Sequence, residues 1–235
     1  MIKYRHWRKV VQAAMKSHST RTFYDNISSI YDDVFTSHKV HANNITQVLT
    51  DTFPSKRQKV SVLDLGCGTG MLSTLLAENG FSIVGIDISF LSLCRLKQKT
   101  HAFDVIQADA DFLPIQNRSL DAVVCLGSWR HFSDIGTVAG EIARLLKTEG
   151  IFIVGYFPPA LAGVIHINQK WINQILHWLY GAFIRKLGYW DRTDCLFVKE
   201  TEQILRTQFK NVLDLASDPG KHMLFAHYPT NQAKE

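Results

Sequence analysis

The run Val62-Leu-Asp-Leu-Gly66-Cys67-Gly68-Thr69-Gly70 constrains this chain most, because apolar residues lead into three glycines and then into a helical pattern from Met71. Glycine turns tightly and lets backbone approach a ligand with no side chain between them. Strand, glycine loop and helix in that order open a βαβ unit. The generic dinucleotide fingerprint G-x-G-x-x-G places pyrophosphate at the helix N-terminus. Here the third glycine comes two residues after the second, and an acid, Asp64, stands within the strand. An acid beside the loop suits a cationic amino-acid moiety better than a phosphate. The alternative is a glycine-rich turn that binds nothing.

The residues after Gly70 repeat the alternation of strand and helix. Strands are predicted at Val60–Leu65, Ser82–Ile86, Val105–Gln107, Leu120–Leu126 and Ile151–Gly155. Helices are predicted at Met71–Asn79, Ser89–Lys99 and Asp134–Leu146, the last with Asp134 as N-cap. That alternation implies a parallel sheet with right-handed crossovers. A helix over Glu200–Phe209 precedes two strands, Val212–Leu215 and His222–His227. The turn between them, Ser217-Asp-Pro-Gly220, is short enough to join antiparallel neighbours.

The strand ends carry the polar chemistry. Strand two closes on Gly85-Ile-Asp87, where a carboxylate can accept hydrogen bonds from both hydroxyls of a ribose; helix N-capping is the competing role for that acid. Strand three closes on Ala108-Asp109-Ala110-Asp111-Phe-Leu113-Pro114, where an exposed acid can accept from an adenine amino group. Strand four opens into Gly127-Ser128-Trp129-Arg130-His131-Phe132. Four consecutive strand ends thus present polar or glycine-rich turns on one edge, where ligands bind in open α/β sheets.

With those motifs in view, residues 60–155 resemble the class I S-adenosylmethionine (SAM)-dependent methyltransferase superfamily, nearest its type-11 small-molecule and quinone or lipid branch. VLDLGCGTG resembles the family's first motif, which implies that Asp64, Gly66, Cys67 and Gly68 surround the methionine portion of SAM. GIDIS resembles the second, placing Asp87 at the ribose with Ile88 beside it. DADFLP implies Asp109 and Ala110 at the adenine, and Leu126 is implied near the methionine amine. ARLLKTEG resembles the ending before strand five, although Thr148 and Glu149 depart from the family pattern there. Tyr24…Ser29-Ile-Tyr31-Asp32 resembles a helix that covers SAM, so Tyr31 is a candidate partner of the methionine carboxylate, with plain aromatic packing as the alternative. The resemblance implies a Rossmann-like, mostly parallel seven-stranded α/β sheet in the order 3-2-1-4-5-7-6, its last strand antiparallel.

Two departures bear on the acceptor. The family often has His-His after strand four, where this chain has Arg130-His131. Arg130 is a candidate for an anionic group on a substrate. His131 is read first as a packed histidine, and with His166 as a candidate proton acceptor. No Asn/Asp-Pro-Pro-Tyr motif follows strand four, which counts against nucleobase amino methylation of that style. Phe157-Pro158-Pro159 follows strand five and opens an insertion instead.

That insertion, about residues 156–199, includes Ala160–Ile184, which holds one charged side chain, Lys170, and no acid. Trp171 and Trp178 lie on one helical face and are candidate substrate contacts. The polar interruptions at Asn168, Gln169, Asn173 and Gln174 argue against a membrane span. A helical lid over a lipophilic acceptor is expected, with core packing as the alternative. Residues 1–59 read as a helical cap, with helices over 2–18 and, interrupted near His38, over 22–50; residues 60–235 read as the SAM-binding domain.

Before Asp25 there are six basic residues and no acidic one. Such a segment suits phosphates of lipid or nucleic acid, a transit peptide, or a solvated helix face. The four cysteines are scattered, and no secretory leader precedes them. A reduced cytoplasmic setting, peripheral to a membrane at most, is expected. No metal site is expected. The function expected is methyl transfer from SAM to a small lipophilic or aromatic acceptor. An RNA or protein methyltransferase, or a non-catalytic SAM-binding partner, are the rivals.

Overall fold

Val62 and Leu63 are adjacent in the chain yet face opposite sides of a sheet, and this alternation supplies a core to each face. The computed structural model describes residues 4–36, 38–55, 57–156, 195–215 and 222–230. Four helices come first: α1 (Tyr4–Lys16), α2 (Thr20–Ile27), α3 (Tyr31–Val34) and α4 (His38–Thr52). Next come β1 (Ser61–Leu65), α5 (Met71–Glu78), β2 (Ser82–Asp87), α6 (Phe90–Lys99), β3 (Asp104–Gln107), β4 (Leu120–Leu126), α7 (Ile135–Leu145) and β5 (Leu146–Tyr156). Helix α8 (Cys195–Gln208), β6 (Phe209–Asp214) and β7 (His222–Pro229) complete the described chain. The expected lid, with His166, Trp171 and Trp178, lies outside the described residues.

The seven strands form one sheet in the order β3-β2-β1-β4-β5-β7-β6. Strands β1 to β5 pair in parallel, and β7 runs antiparallel to both β5 and β6. The expected topology is therefore the one observed. On one face Leu63, Val123, Phe152 and Leu224 pack with Val138 and Ile142 of α7 and Leu205 of α8. On the other, Val62, Val124 and Ile153 pack with Ile45 and Leu49 of α4, Leu76 of α5 and Leu96 of α6. The third cluster joins Val10 and Ala14 of α1 to Phe23, Ile27 and Val34.

Caps account for several boundaries. Asp134 accepts from Gly136 N at 2.8 Å and Thr137 N at 3.1 Å, starting α7. Ser89 accepts from Ser92 N at 3.1 Å, starting α6. A capping box between Ser19 and Thr22 separates α1 from α2, so the helix expected from residue 22 begins two residues earlier. Helix α8 begins at Cys195, ahead of the expected Glu200. The start of β5 also differs from the expected Ile151. Leu146 already pairs with Leu120, and the register then slips so that Ile151 meets Ala122. Within the slip, Lys147 donates to Asp121 Oδ1 at 2.8 Å.

Candidate active site

The β1–α5 loop carries the glycines for separate reasons. Gly66 has φ 75°, and a Cβ there would lie 2.2 Å from Ser128 Oγ, so the loops after β1 and β4 could not approach as they do. Ser128 Oγ uses that closeness to donate to Gly66 O at 3.0 Å. Gly68 has φ 53°, and a Cβ there would meet nothing within 4 Å. Its missing side chain therefore faces open space.

That space belongs to a cavity of about 580 Å³. Its size lies within the ~300–1,000 Å³ typical of small-molecule sites. Gly66, Gly68, Asp87, Ile88, Asp109, Ala110 and Tyr31 all line it. Asp64, Cys67 and Leu126 instead line a recess of about 30 Å³ that shares Gly66, Gly68 and Tyr31 with the larger cavity. The residues singled out from four strand ends and one N-terminal helix thus meet around one adjoining pair of spaces.

Their surroundings differ. Asp64 is 1% exposed, and Ser73 donates to its Oδ2 at 2.5 Å. Burial pushes its carboxyl up to about 7, outweighing the lowering by that hydrogen bond. Asp87 is also raised by burial, an effect opposed by the amides of Ser89 and Gly68, which donate to Oδ1 and Oδ2, each at 2.8 Å. Asp109 is exposed, whereas Ala110 is buried. Burial raises the Cys67 thiol well above its usual range, so Cys67 acts as a small apolar side chain. Tyr31 OH lies 3.4 Å from His38 Nδ1. Burial lowers His38 to about 3, with His41 and Arg130 adding to the effect, so this imidazole is neutral at pH 7.

On the remaining wall, His131 and Phe132 join Tyr24 and residues 19–22. Tyr24 OH lies 2.8 Å from His131 Nε2, and the two rings pack edge to face. Burial raises the Tyr24 phenol, holding it protonated. Arg130 is half-buried and does not line the cavity among the described residues, but its charge acts on both Tyr24 and His38. Tyr24, His38 and Ser128 were quoted from sequence only within a motif, at a helix break and in a turn, and none was given a site role. Tyr24 left a signal in the repetition of Tyr-Asp at 24–25 and 31–32. The other two left none: Ser128 acts on Gly66 from 62 residues away, and His38 meets Tyr31 only because the chain turns between α3 and α4. Among the described residues no group of three or more His, Cys, Asp or Glu side chains could hold a metal ion.

A sheet in this order with a glycine-lined cavity at its carboxyl edge defines a class of cofactor-binding α/β enzymes. The family model described as "Methyltransferase domain" matches residues 63–154. The ubiquinone biosynthesis O-methyltransferase of Xylella fastidiosa (strain M23) is 34% identical over 177 residues, covering 67% of this chain and 70% of that protein. The demethylmenaquinone methyltransferase of Thermus thermophilus is 31% identical over 134 residues, covering 54% of this chain and 61% of that protein. Against that Thermus protein and three further curated relatives, the chain spans 43–61% of the relatives' length. The solved PH0226 protein of Pyrococcus horikoshii OT3 shares the fold at a TM-score of 0.61 and 19% identity, covering 85% of this chain and 98% of that one.

The chain belongs to the class I SAM-dependent methyltransferases. SAM is the cofactor of that family, and the open space opposite Gly68, the carboxylates and the recess beside Asp64 fit its mixed polar, cationic and aromatic groups.

Proposed function

We propose that this chain methylates a small lipophilic or aromatic acceptor of the quinone-precursor kind. The observation carrying the proposal is one cavity that joins the glycine loop and Asp87 to a Tyr24–His131 pair on its far wall. The names of the Xylella and Thermus relatives support the acceptor class. SAM, when bound, supplies a methyl group on a positively charged sulfur, which makes the transfer intrinsically favourable.

Asp87 and Ile88 are assigned to the ribose, Asp109 and Ala110 to the adenine, and Asp64, Gly66, Cys67, Gly68, Leu126 and Tyr31 to the methionine portion. The chain's other task is to orient the acceptor and remove its proton. In this proposal Tyr24 accepts the proton of an acceptor hydroxyl while passing its own to His131 Nε2, leaving the phenol intact and the imidazole protonated. The contact between Tyr24 and His131 inside the cavity supports this role for the pair; His166 lies outside the described residues. Arg130 adds positive potential beside Tyr24 that would favour the deprotonated acceptor.

Residues 1–59 are assigned as a helical cap that shares its core with the sheet through α4. The insertion, with Trp171 and Trp178, is assigned from its sequence as a lid over the acceptor. The basic N-terminus is assigned a peripheral contact with anionic lipid on the cytoplasmic side. No helix among the described residues is long and apolar enough to cross a membrane.

The test incubates the purified chain and its His131→Ala variant with methyl-labelled SAM and separate lipid, small-molecule, RNA and protein extracts. Label entering the lipid or small-molecule fraction, and falling with His131→Ala, is the expected result. Label confined to RNA or protein would overturn the acceptor class. Undiminished labelling by the variant would remove the proton relay.

A further inference from the structure

Tyr24-Asp25 and Tyr31-Asp32 repeat one dipeptide at a spacing of seven residues. Both tyrosines line the large cavity. The aspartates leave it and grip the protein at two separate places.

Asp25 Oδ1 accepts from Ser89 Oγ at 2.7 Å and from Leu91 N at 3.0 Å. It thereby adds a second oxygen acceptor to the start of α6, beyond the Ser89 cap, where unpaired amides and the helix dipole favour a negative charge. Asp32 grips the glycine loop instead. Its Oδ1 accepts from Thr69 Oγ1 at 2.5 Å, and its Oδ2 pairs with Lys99 Nζ at 2.5 Å. Lys99 returns to the same loop by donating to Thr69 O at 2.7 Å.

The two gripped loops are the ones that Asp87 bridges. Ser89, held by Asp25, donates its amide to Asp87 Oδ1; Gly68, next to the Thr69 held by Asp32, donates its amide to Asp87 Oδ2. A continuous hydrogen-bonded chain therefore runs from Asp25 through Ser89, Asp87 and Gly68 to the loop held by Asp32.

Resting on the assignment of this cavity to SAM, we infer that Asp25 and Asp32 are positioning residues that latch the segment 20–34 over the cofactor and set the spacing of the two loops around Asp87. Magnitudes favour this over a role in general stability. The Asp32 and Lys99 side chains are 43% and 42% exposed, and ion pairs so open to water add little to folding. Their value lies in where they hold Tyr31 and Thr69. The latches also explain why this segment breaks into α2, a turn and α3. A single straight helix would carry both aspartates along one line, whereas the two grips lie on different loops.

The experiment uses the full chain with Asp25→Asn, Asp32→Asn and the double variant, each nearly isosteric, together with Asp32→Glu as the conservative replacement. Three quantities are read: melting temperature, amide hydrogen exchange across residues 20–34 without cofactor, and the rate at which SAM dissociates. For each aspartate replaced, exchange across 20–34 quickens and SAM leaves about tenfold faster, the scale of one hydrogen bond to a charged group. The KM for SAM rises while kcat is retained, and Asp32→Glu recovers part of the loss. A dissociation rate unchanged in the double variant, or one that tracks a collapse in melting temperature across all variants, overturns the latch. Failure of the parent protein to bind SAM overturns the cavity assignment itself, a result separate from either of these.

Discussion

Asp64 and Asp87 stand on adjacent strands beside the same loop, yet burial acts on them unequally. Asp87 keeps two backbone donors and lines the open cavity, which supports its proposed assignment to the ribose. Asp87→Ala is expected to weaken SAM binding by about 1.5–3 kcal/mol, the scale of hydrogen bonds to a charged acceptor. Gly68→Val should weaken it further, because the side chain enters the open space and φ 53° strains a branched residue. Titration calorimetry on both folded variants checks this, and unchanged affinity in both would relocate the site. Asp64 carries a pH signature instead. Its carboxyl sits near 7 in the fold against an ordinary 3.8. Between those values the folded chain holds a proton that the unfolded chain has lost, so stability from this group falls as pH rises through the window and stays lost above it. Asp64→Asn keeps an acceptor for Ser73 but carries no charge. Its melting temperature should therefore gain on the parent's between about pH 4 and about pH 7; a gap that stays constant across that range would contradict the buried-acid account.

At the scale of elements, the turn after β4 is held by a side chain as well as by its own backbone, in which His131 N donates to Ser128 O at 2.9 Å. Trp129 is 1% exposed, packs against Phe132 and Phe152, and donates its indole N–H to Thr201 Oγ1 of α8 at 3.1 Å. That bond ties the segment bearing Arg130 and His131 to a helix over seventy residues away. Thr201→Val leaves the buried indole donor without its partner and should cost about 1–3 kcal/mol. Urea denaturation midpoints measure the loss, and a change within error would mean the turn holds itself. The strands and helices from Val60 to Gly155 were legible because period-two and helical patterns alternate there with clear glycine and Asp punctuation. The slip at the start of β5 was not legible, since it depends on which residues of the neighbouring strand β4 the chain meets, Leu120 first and then Ala122. The division of the N-terminal stretch was only half legible. A capping box can be read from Ser19 and Thr22, but the grips of Asp25 and Asp32 lie on other segments.

For the molecule as a whole, α4 decides what can be removed. Ala42, Ile45 and Leu49 are almost wholly buried within the same cluster as the sheet residues Val62, Val124 and Ile153. A chain beginning at residue 60 would expose that face, and fully burying side chains of this kind is worth about 1.5–3 kcal/mol each. Such a truncation should be recovered as an aggregate, whereas a chain beginning at residue 18 should remain soluble with a lowered melting temperature. Size-exclusion chromatography separates the outcomes, and a monomeric, cooperatively melting 60–235 fragment would refute the shared core. Sequence by itself determined the alternation of strands and helices and the cofactor edge, because the glycine loop, the acids at successive strand ends and the apolar alternation are each written within a few adjacent residues; the strand order followed from the resemblance those motifs carry. Only the tertiary structure decided that Tyr24 meets His131, that burial raises the Asp64 carboxyl, and that two aspartates grip two loops. Those properties depend on distances between segments 37 to 107 residues apart and on how much water the fold excludes from each group.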